Sequence, residues 1–206
     1  MVRLIIAAVA VVLLAVAGFV VYRTMSFTAP PPPAETTIPA TGAYDIDVST
    51  AAQHLSQAIR FPTVSLVSVD EDRTPFLNLH AWLQQTYPAF HAVARRELIN
   101  ELSLLYTWEG SDPAQPPIVL LEHQDVVPVP EDTRAAWRVD PFGGVIQEDA
   151  VWGRGSIDDK GSLVTLMEAA EFLARQGRQP RRTIIFAFGH DEEIGGDDGA
   201  IVMAEA

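Results

Sequence analysis

Leu4 to Tyr22 is a run of 19 residues without a charge, which is long enough to cross the hydrocarbon core of a bilayer as one helix. A buried helix of a soluble domain is rarely apolar on every face, so the run reads as a membrane or export segment. In one reading it is an uncleaved signal anchor closed by Arg23. In the other it is a cleavable signal peptide, with Ala15-Val16-Ala17 as the small-x-small site. The apolar stretch continues past that site through Phe19, Val20 and Val21, which favours the anchor. Thr28 to Gly42 then carries five of the 15 prolines, Pro30 to Pro33 and Pro39, and reads as a stiff spacer. The expected organisation is a signal anchor or signal peptide over 1–23, a Pro-rich linker over 24–44 and one globular domain from 45 to 206.

Charge and cysteine content narrow the function. The chain has 14 Lys and Arg against 27 Asp and Glu, a net charge of -13, and this acidity repels phosphate backbones. No nucleic-acid partner is expected. Cysteine is absent, so any metal must be held by histidine and carboxylates.

From Asp45 the pattern becomes that of an α/β domain. Ile46, Val48, Ala51, Leu55 and Ile59 have helical spacing, with Ser49 or Thr50 near the start and Pro62 beyond the end. Phe76, Leu79 and Leu83 suggest a second helix. Val93 to Leu98, Leu102 to Trp108, Ile118 to Leu121 and Ile184 to Phe188 read as strands, and Leu163 to Leu173 as a helix. This alternation predicts a mixed, largely parallel central sheet flanked by helices, with an antiparallel margin. In such sheets ligands collect beyond the carboxyl ends of strands.

Three polar clusters fall at those ends. The first is Glu122-His123-Gln124-Asp125-Val126-Val127-Pro128, where His123 and Asp125 lie two residues apart on an extended segment. An imidazole can bind metal through one nitrogen while a carboxylate holds the other. The bland alternative is a hydrogen-bonded loop pair. The second cluster is Trp152-Gly153-Arg154-Gly155-Ser156-Ile157-Asp158-Asp159-Lys160-Gly161. Its adjacent acids suit a hard cation, with Lys160 or Arg154 as local countercharge, or else form an Asp-rich turn capping the next helix. A phosphate-binding loop fits worse, because the acids repel phosphate and the Gly-Lys-Ser/Thr order is missing. The third cluster is Gly189-His190-Asp191-Glu192-Glu193-Ile194-Gly195-Gly196-Asp197-Asp198. One of its carboxylates can bind metal while a neighbour moves a proton.

In order and spacing, these three stretches resemble the di-zinc metallopeptidase family that includes Gly-Xaa carboxypeptidase, carboxypeptidase S, aminoacylase and succinyl-diaminopimelate desuccinylase. The resemblance covers about residues 45 to 200, and the wording Asp-Val-Val-Pro and Gly-His-Asp-Glu-Glu is most similar to the carboxypeptidase S branch. It implies a zinc-exopeptidase-like α/β catalytic domain. It also implies that His123, Asp158 and Glu193 ligate metal, Asp158 bridging two ions next to a cis bond to Asp159. Asp125 orients His123, and Glu192 is the general base and acid. Asp191, Asp197 and Asp198 match no ligand position. Two Zn2+ ions are implied for the complete enzyme, although His and carboxylate donors also suit Co2+ or Mn2+.

Family members are more than twice as long, and two of their metal ligands, an acid and a late histidine, have no counterpart here. The chain is therefore read as the N-terminal portion of such an enzyme, lacking the lid and dimerisation domain and the C-terminal part, with a homodimer implied only for the full-length form. The implied activity is hydrolysis of an amide in a peptide or N-acyl amino acid by a membrane-anchored, extracytoplasmic enzyme, or a secreted one if the leader is cleaved. Two alternatives stay open. One is a truncated, noncatalytic, membrane-tethered fragment that keeps part of the metal site. The other is a magnesium-dependent phosphoryl-transfer enzyme, for which phosphate-binding elements are missing.

Overall fold

The computed structural model describes residues 2–28, 46–66 and 72–206. They fall into two compact units, Met1–Asp45 and Ile46–Ala206. In the first, helix α1 (Val2–Met25) is long and apolar enough to cross a membrane, and its place near the N-terminus suits a signal sequence equally well. The Pro-rich stretch expected as a linker lies almost entirely outside the described residues.

The second unit is an α/β domain. Helix α2 (Val48–Ile59) starts at Asp47, whose carboxylate accepts from Thr50 N, so the cap lies before the Ser49 or Thr50 expected from sequence. Helix α3 (Thr74–Thr86) and the short α4 (Pro88–Val93) follow, each with proline in its first turn. Val93 was expected to open a strand, yet it closes α4, and strand β1 begins at Arg95 (Arg95–Ile99). The reason is Pro88, which starts a new helical turn directly after Tyr87.

Strand β2 (Ser103–Trp108) pairs antiparallel with β1 across a three-residue turn, Asn100 to Leu102, in which Asn100 and Glu101 both have positive φ. Strand β3 (Ile118–His123), helix α5 (Glu131–Arg134), the hairpin β4 (Val145–Gln147) and β5 (Ala150–Trp152), helix α6 (Lys160–Arg175) and strand β6 (Ile184–Gly189) come next. A 3-10 turn over Glu192–Ile194 and helix α7 (Ala200–Glu205) end the chain.

The main sheet is mixed, in the order β1-β2-β6-β3. Its expected parallel character is confined to β3 and β6, while β1, β2 and β6 pair antiparallel. The parallel pair requires a crossover, and α6 lies within it. Phe90, Tyr106, Trp108, Phe186 and Phe188 form an aromatic core under one sheet face, with Phe90 and Phe186 centroids 5.1 Å apart at 71°. Leu79, Leu83, Val164 and Met167 bring α3 and α6 onto it. Each large side chain buried in this way contributes about 1.5–3 kcal/mol. Among the described residues β3 forms a sheet edge, and Val119 and Leu121 are 57% and 60% exposed.

Candidate metal centre

The parallel register matches His123 at the end of β3 to Gly189 at the end of β6. The segments beyond both strands therefore leave the sheet side by side. Here the three clusters meet around a cleft of about 320 Å³ lined by His123, Asp158, Asp159, Asp191 and Glu192. One ligand atom each from His123, Asp158 and Glu193 lies within 4.8 Å of the other two. Imidazole and carboxylate at this spacing fit a divalent cation without any thiolate. Among the described residues this is the one group of three such donors.

Asp125 organises the site from below. It is fully buried; His123 Nδ1 lies 3.1 Å from its main-chain O and 3.2 Å from its Oδ1, and its carboxylate accepts from the backbone N–H of Glu192 at 3.2 Å and of Glu193 at 3.1 Å. One carboxylate thus orients the imidazole and holds the turn that carries both glutamates, the second role being invisible in a His-x-Asp pair. With Nδ1 so occupied, Nε2 faces Asp158 Oδ1 at 2.9 Å and Glu192 Oε2 at 3.9 Å. Burial disfavours the cationic form of His123, but Asp125, Asp158 and Asp159 outweigh it and lift its pKa to about 9. Burial, with Asp158 nearby, also raises Glu193.

The Asp158-Asp159 bond is cis, and the two acids point to different partners. Asp158 faces the cleft, whereas Asp159 Oδ2 accepts from His123 N at 3.2 Å. Asp159 occupies the N-cap position of α6 but makes no side-chain cap, which removes the helix-capping alternative. Glu122 lies beside Asp159, and burial together with that carboxylate lifts it to about 7.

The expected countercharges are elsewhere. Lys160 is fully buried, and its Nζ donates to Ala58 O at 3.1 Å and to Phe61 O, so it closes the C-terminal end of α2. Burial lowers its pKa to about 7. Arg154 stacks over Trp137, 5.2 Å from the ring centroid, and pairs with neither aspartate. Neither side chain therefore forms an ion pair with Asp158 or Asp159. Asp191 is buried, with Oδ2 accepting from Asp198 N at 2.7 Å, and so supports the loop after the glutamates. Sequence reasoning missed the layer beneath the site, made by Thr63, Ser65, His80, Ser103 and Gln124; scattered buried polar residues in an apolar pattern were the available signal.

A donor cluster of imidazole and carboxylates at the strand ends of a mixed α/β sheet is an arrangement that can hold a divalent cation. Residues 119–206 match Peptidase family M20/M25/M40. Carboxypeptidase S of Saccharomyces cerevisiae is 41% identical over 169 residues, which are 76% of this chain and 28% of that protein. The N-fatty-acyl-amino acid synthase/hydrolase PM20D1 of Mus musculus is 36% identical over 148 residues, covering 71% of this chain and 29% of the relative. Human carnosine dipeptidase 1 superposes with a TM-score of 0.62 at 20% identity, over 73% of this chain and 33% of that one, a likeness of fold. The chain is similar to Peptidase family M20/M25/M40 over residues 119–206, and it spans about a third or less of the length of these relatives.

Proposed function

We propose that this domain is the metal-binding part of a hydrolase that cleaves the amide bond of a peptide or an N-acyl amino acid. The observation that carries the reading is the convergence of His123, Asp158 and Glu193, with Asp125 tying the histidine to the glutamate-bearing turn. His123, Asp158 and Glu193 hold a divalent ion, zinc by family resemblance. When bound, such an ion lowers the pKa of a water and polarises a carbonyl. Glu192 points into the cleft from a backbone fixed by Asp125, and its side chain is 61% exposed. It takes the proton of the attacking water and returns it to the departing amine nitrogen as the C–N bond breaks, giving an acid and an amine. The substrate class follows the names of the relatives, which act as a carboxypeptidase and on N-fatty-acyl amino acids.

The leader, in this reading, is a signal anchor over 1–23, followed by a Pro-rich linker over 24–44 that holds the catalytic domain outside the cytoplasm. A second reading, a tethered metal-binding domain without turnover, is favoured by the single three-donor group among the described residues, where the family resemblance implies two ions. The test is hydrolysis of a panel of dipeptides and N-acyl amino acids by the zinc-loaded chain, with Glu192→Gln as control. Turnover that falls by about 10²–10⁴ in Glu192→Gln supports the hydrolase. Turnover that is unchanged in Glu192→Gln rejects it, and zinc binding without turnover both by this chain and by the reading frame extended downstream of it selects the second reading.

A further inference from the structure

His123 and Asp125 can lie on one side of the segment, the histidine at the cleft and the aspartate beneath it, only if the residue between them points the opposite way, since side chains alternate along an extended segment. That residue is Gln124, and it is fully buried. Its side chain fills a polar slot beneath the cleft. Nε2 donates to Leu102 O at 3.0 Å and to Phe188 O at 2.8 Å, which uses both amide protons. Oε1 is left as an acceptor and lies 2.6 Å from Nε2 of His80 on α3. His80 therefore carries its proton on Nε2 and donates it, an assignment that follows from the network. The backbone of Gln124 is held as well: its N–H donates to Gly189 O at 2.8 Å, and its C=O accepts from Thr63 Oγ1 at 2.7 Å.

Five hydrogen bonds thus reach one residue from α3, the β1–β2 turn, the end of β6 and the segment at Thr63. They fix its rotation about the strand axis, and with it the direction of His123 and Asp125. They also join the two arms of the site, because Phe188 and Gly189 lead directly into the turn bearing Glu192 and Glu193. A leucine would fill the same volume, but it would bare two carbonyls and could rotate. We infer that Gln124, held by His80, is a positioning residue that sets the spacing of His123 from the Glu192-Glu193 turn and thereby the affinity of the site for a divalent cation. The inference rests on the metal-binding reading above.

Titration of the metal-free full chain in detergent with Co2+ alone tests it, read by the visible absorption band and the dissociation constant, with circular dichroism and thermal melting of each apo variant alongside. His123→Ala is the control for the metal reading and should abolish the band. Gln124→Met and His80→Phe should weaken binding about tenfold and alter the band, since a supporting group one layer out is worth that much in metal affinity. His80→Gln, which keeps an N–H donor toward Gln124, should restore affinity to within about threefold of the parent. Thr63→Val, nearly isosteric and certain to leave the core filled, should cost about fivefold, the worth of one neutral hydrogen bond. It decides the matter if the larger changes prevent folding.

A purely structural role would lower the apo melting temperatures and leave the dissociation constants and the band unchanged. That result, with His123→Ala inactive in binding, overturns the positioning role alone. Parent and His123→Ala behaving alike overturns the metal reading and this inference with it.

Discussion

Asp125 illustrates how much one buried carboxylate can determine. Its two oxygens take donors from His123 and from the Glu192 and Glu193 amides, so every acceptor direction matters. Asparagine offers one oxygen and turns an NH2 toward a donor. Asp125→Asn should therefore weaken zinc binding by about 10–100-fold and cost about 1–3 kcal/mol of stability. Calorimetric zinc titration and denaturant unfolding check both, and unchanged zinc affinity would contradict the assignment. At this scale, the spacing of His123 and Asp125 after an apolar strand was legible in sequence, whereas the grouping of His123, Asp158 and Glu193 was expected only through the family resemblance, since the Asp158-Asp159 pair reads equally as a helix-capping turn. The fate of Lys160 was not legible. A lysine beside two aspartates reads as their countercharge, whereas the start of α6 aims its Nζ at the carbonyls ending α2, a direction set by packing.

The elements that deliver these residues are short and depend on special backbone positions. Gly155, between β5 and α6, has φ +84°, and a Cβ there would lie 2.7 Å from Val126 Cγ1, next to Asp125. Gly155→Ala is accordingly expected to cost about 2 kcal/mol through left-handed strain and overlap. It should also displace the 156–159 segment, seen as a lower melting temperature together with weaker Co2+ binding; a melting temperature equal to the parent's would refute this. Long helices were readable from their period, α6 most clearly. The hairpins were less so, because the turns at Asn100-Glu101 and Glu148-Asp149 place four non-glycine residues at positive φ, and the usual Asn-Gly or Asp-Gly mark is absent. Val93 failed as a strand start for a similar reason: β-branching at one position is weaker than proline at the first helical turn.

For the whole domain, the buried polar layer under the cleft links function to stability. Burial lowers the pKa of His80 from 6.5 to about 4, so the native state keeps it neutral while the unfolded chain binds a proton. Stability is then fully present above pH 6.5 and falls as pH drops through 6.5 toward 4, by up to about 3 kcal/mol. Because Glu122, lifted to about 7, slopes the other way over this window, the contribution is read as a difference. Denaturant melts should show the parent's stability relative to His80→Gln falling as pH drops from 6.5 toward 4, and a difference that does not change with pH would refute the prediction. This layer escaped sequence reading because Thr63, His80, Ser103 and Gln124 come from four separate segments that only the sheet brings together. The proposed chemistry divides the labour between adjacent glutamates, with Glu193 holding the ion and Glu192 moving the proton. The most direct measurement is zinc affinity of the parent, Glu192→Gln and Glu193→Gln. The prediction is affinity near the parent's for Glu192→Gln and a loss of at least about tenfold for Glu193→Gln. Equal losses in both, or a loss in Glu192→Gln alone, would contradict it.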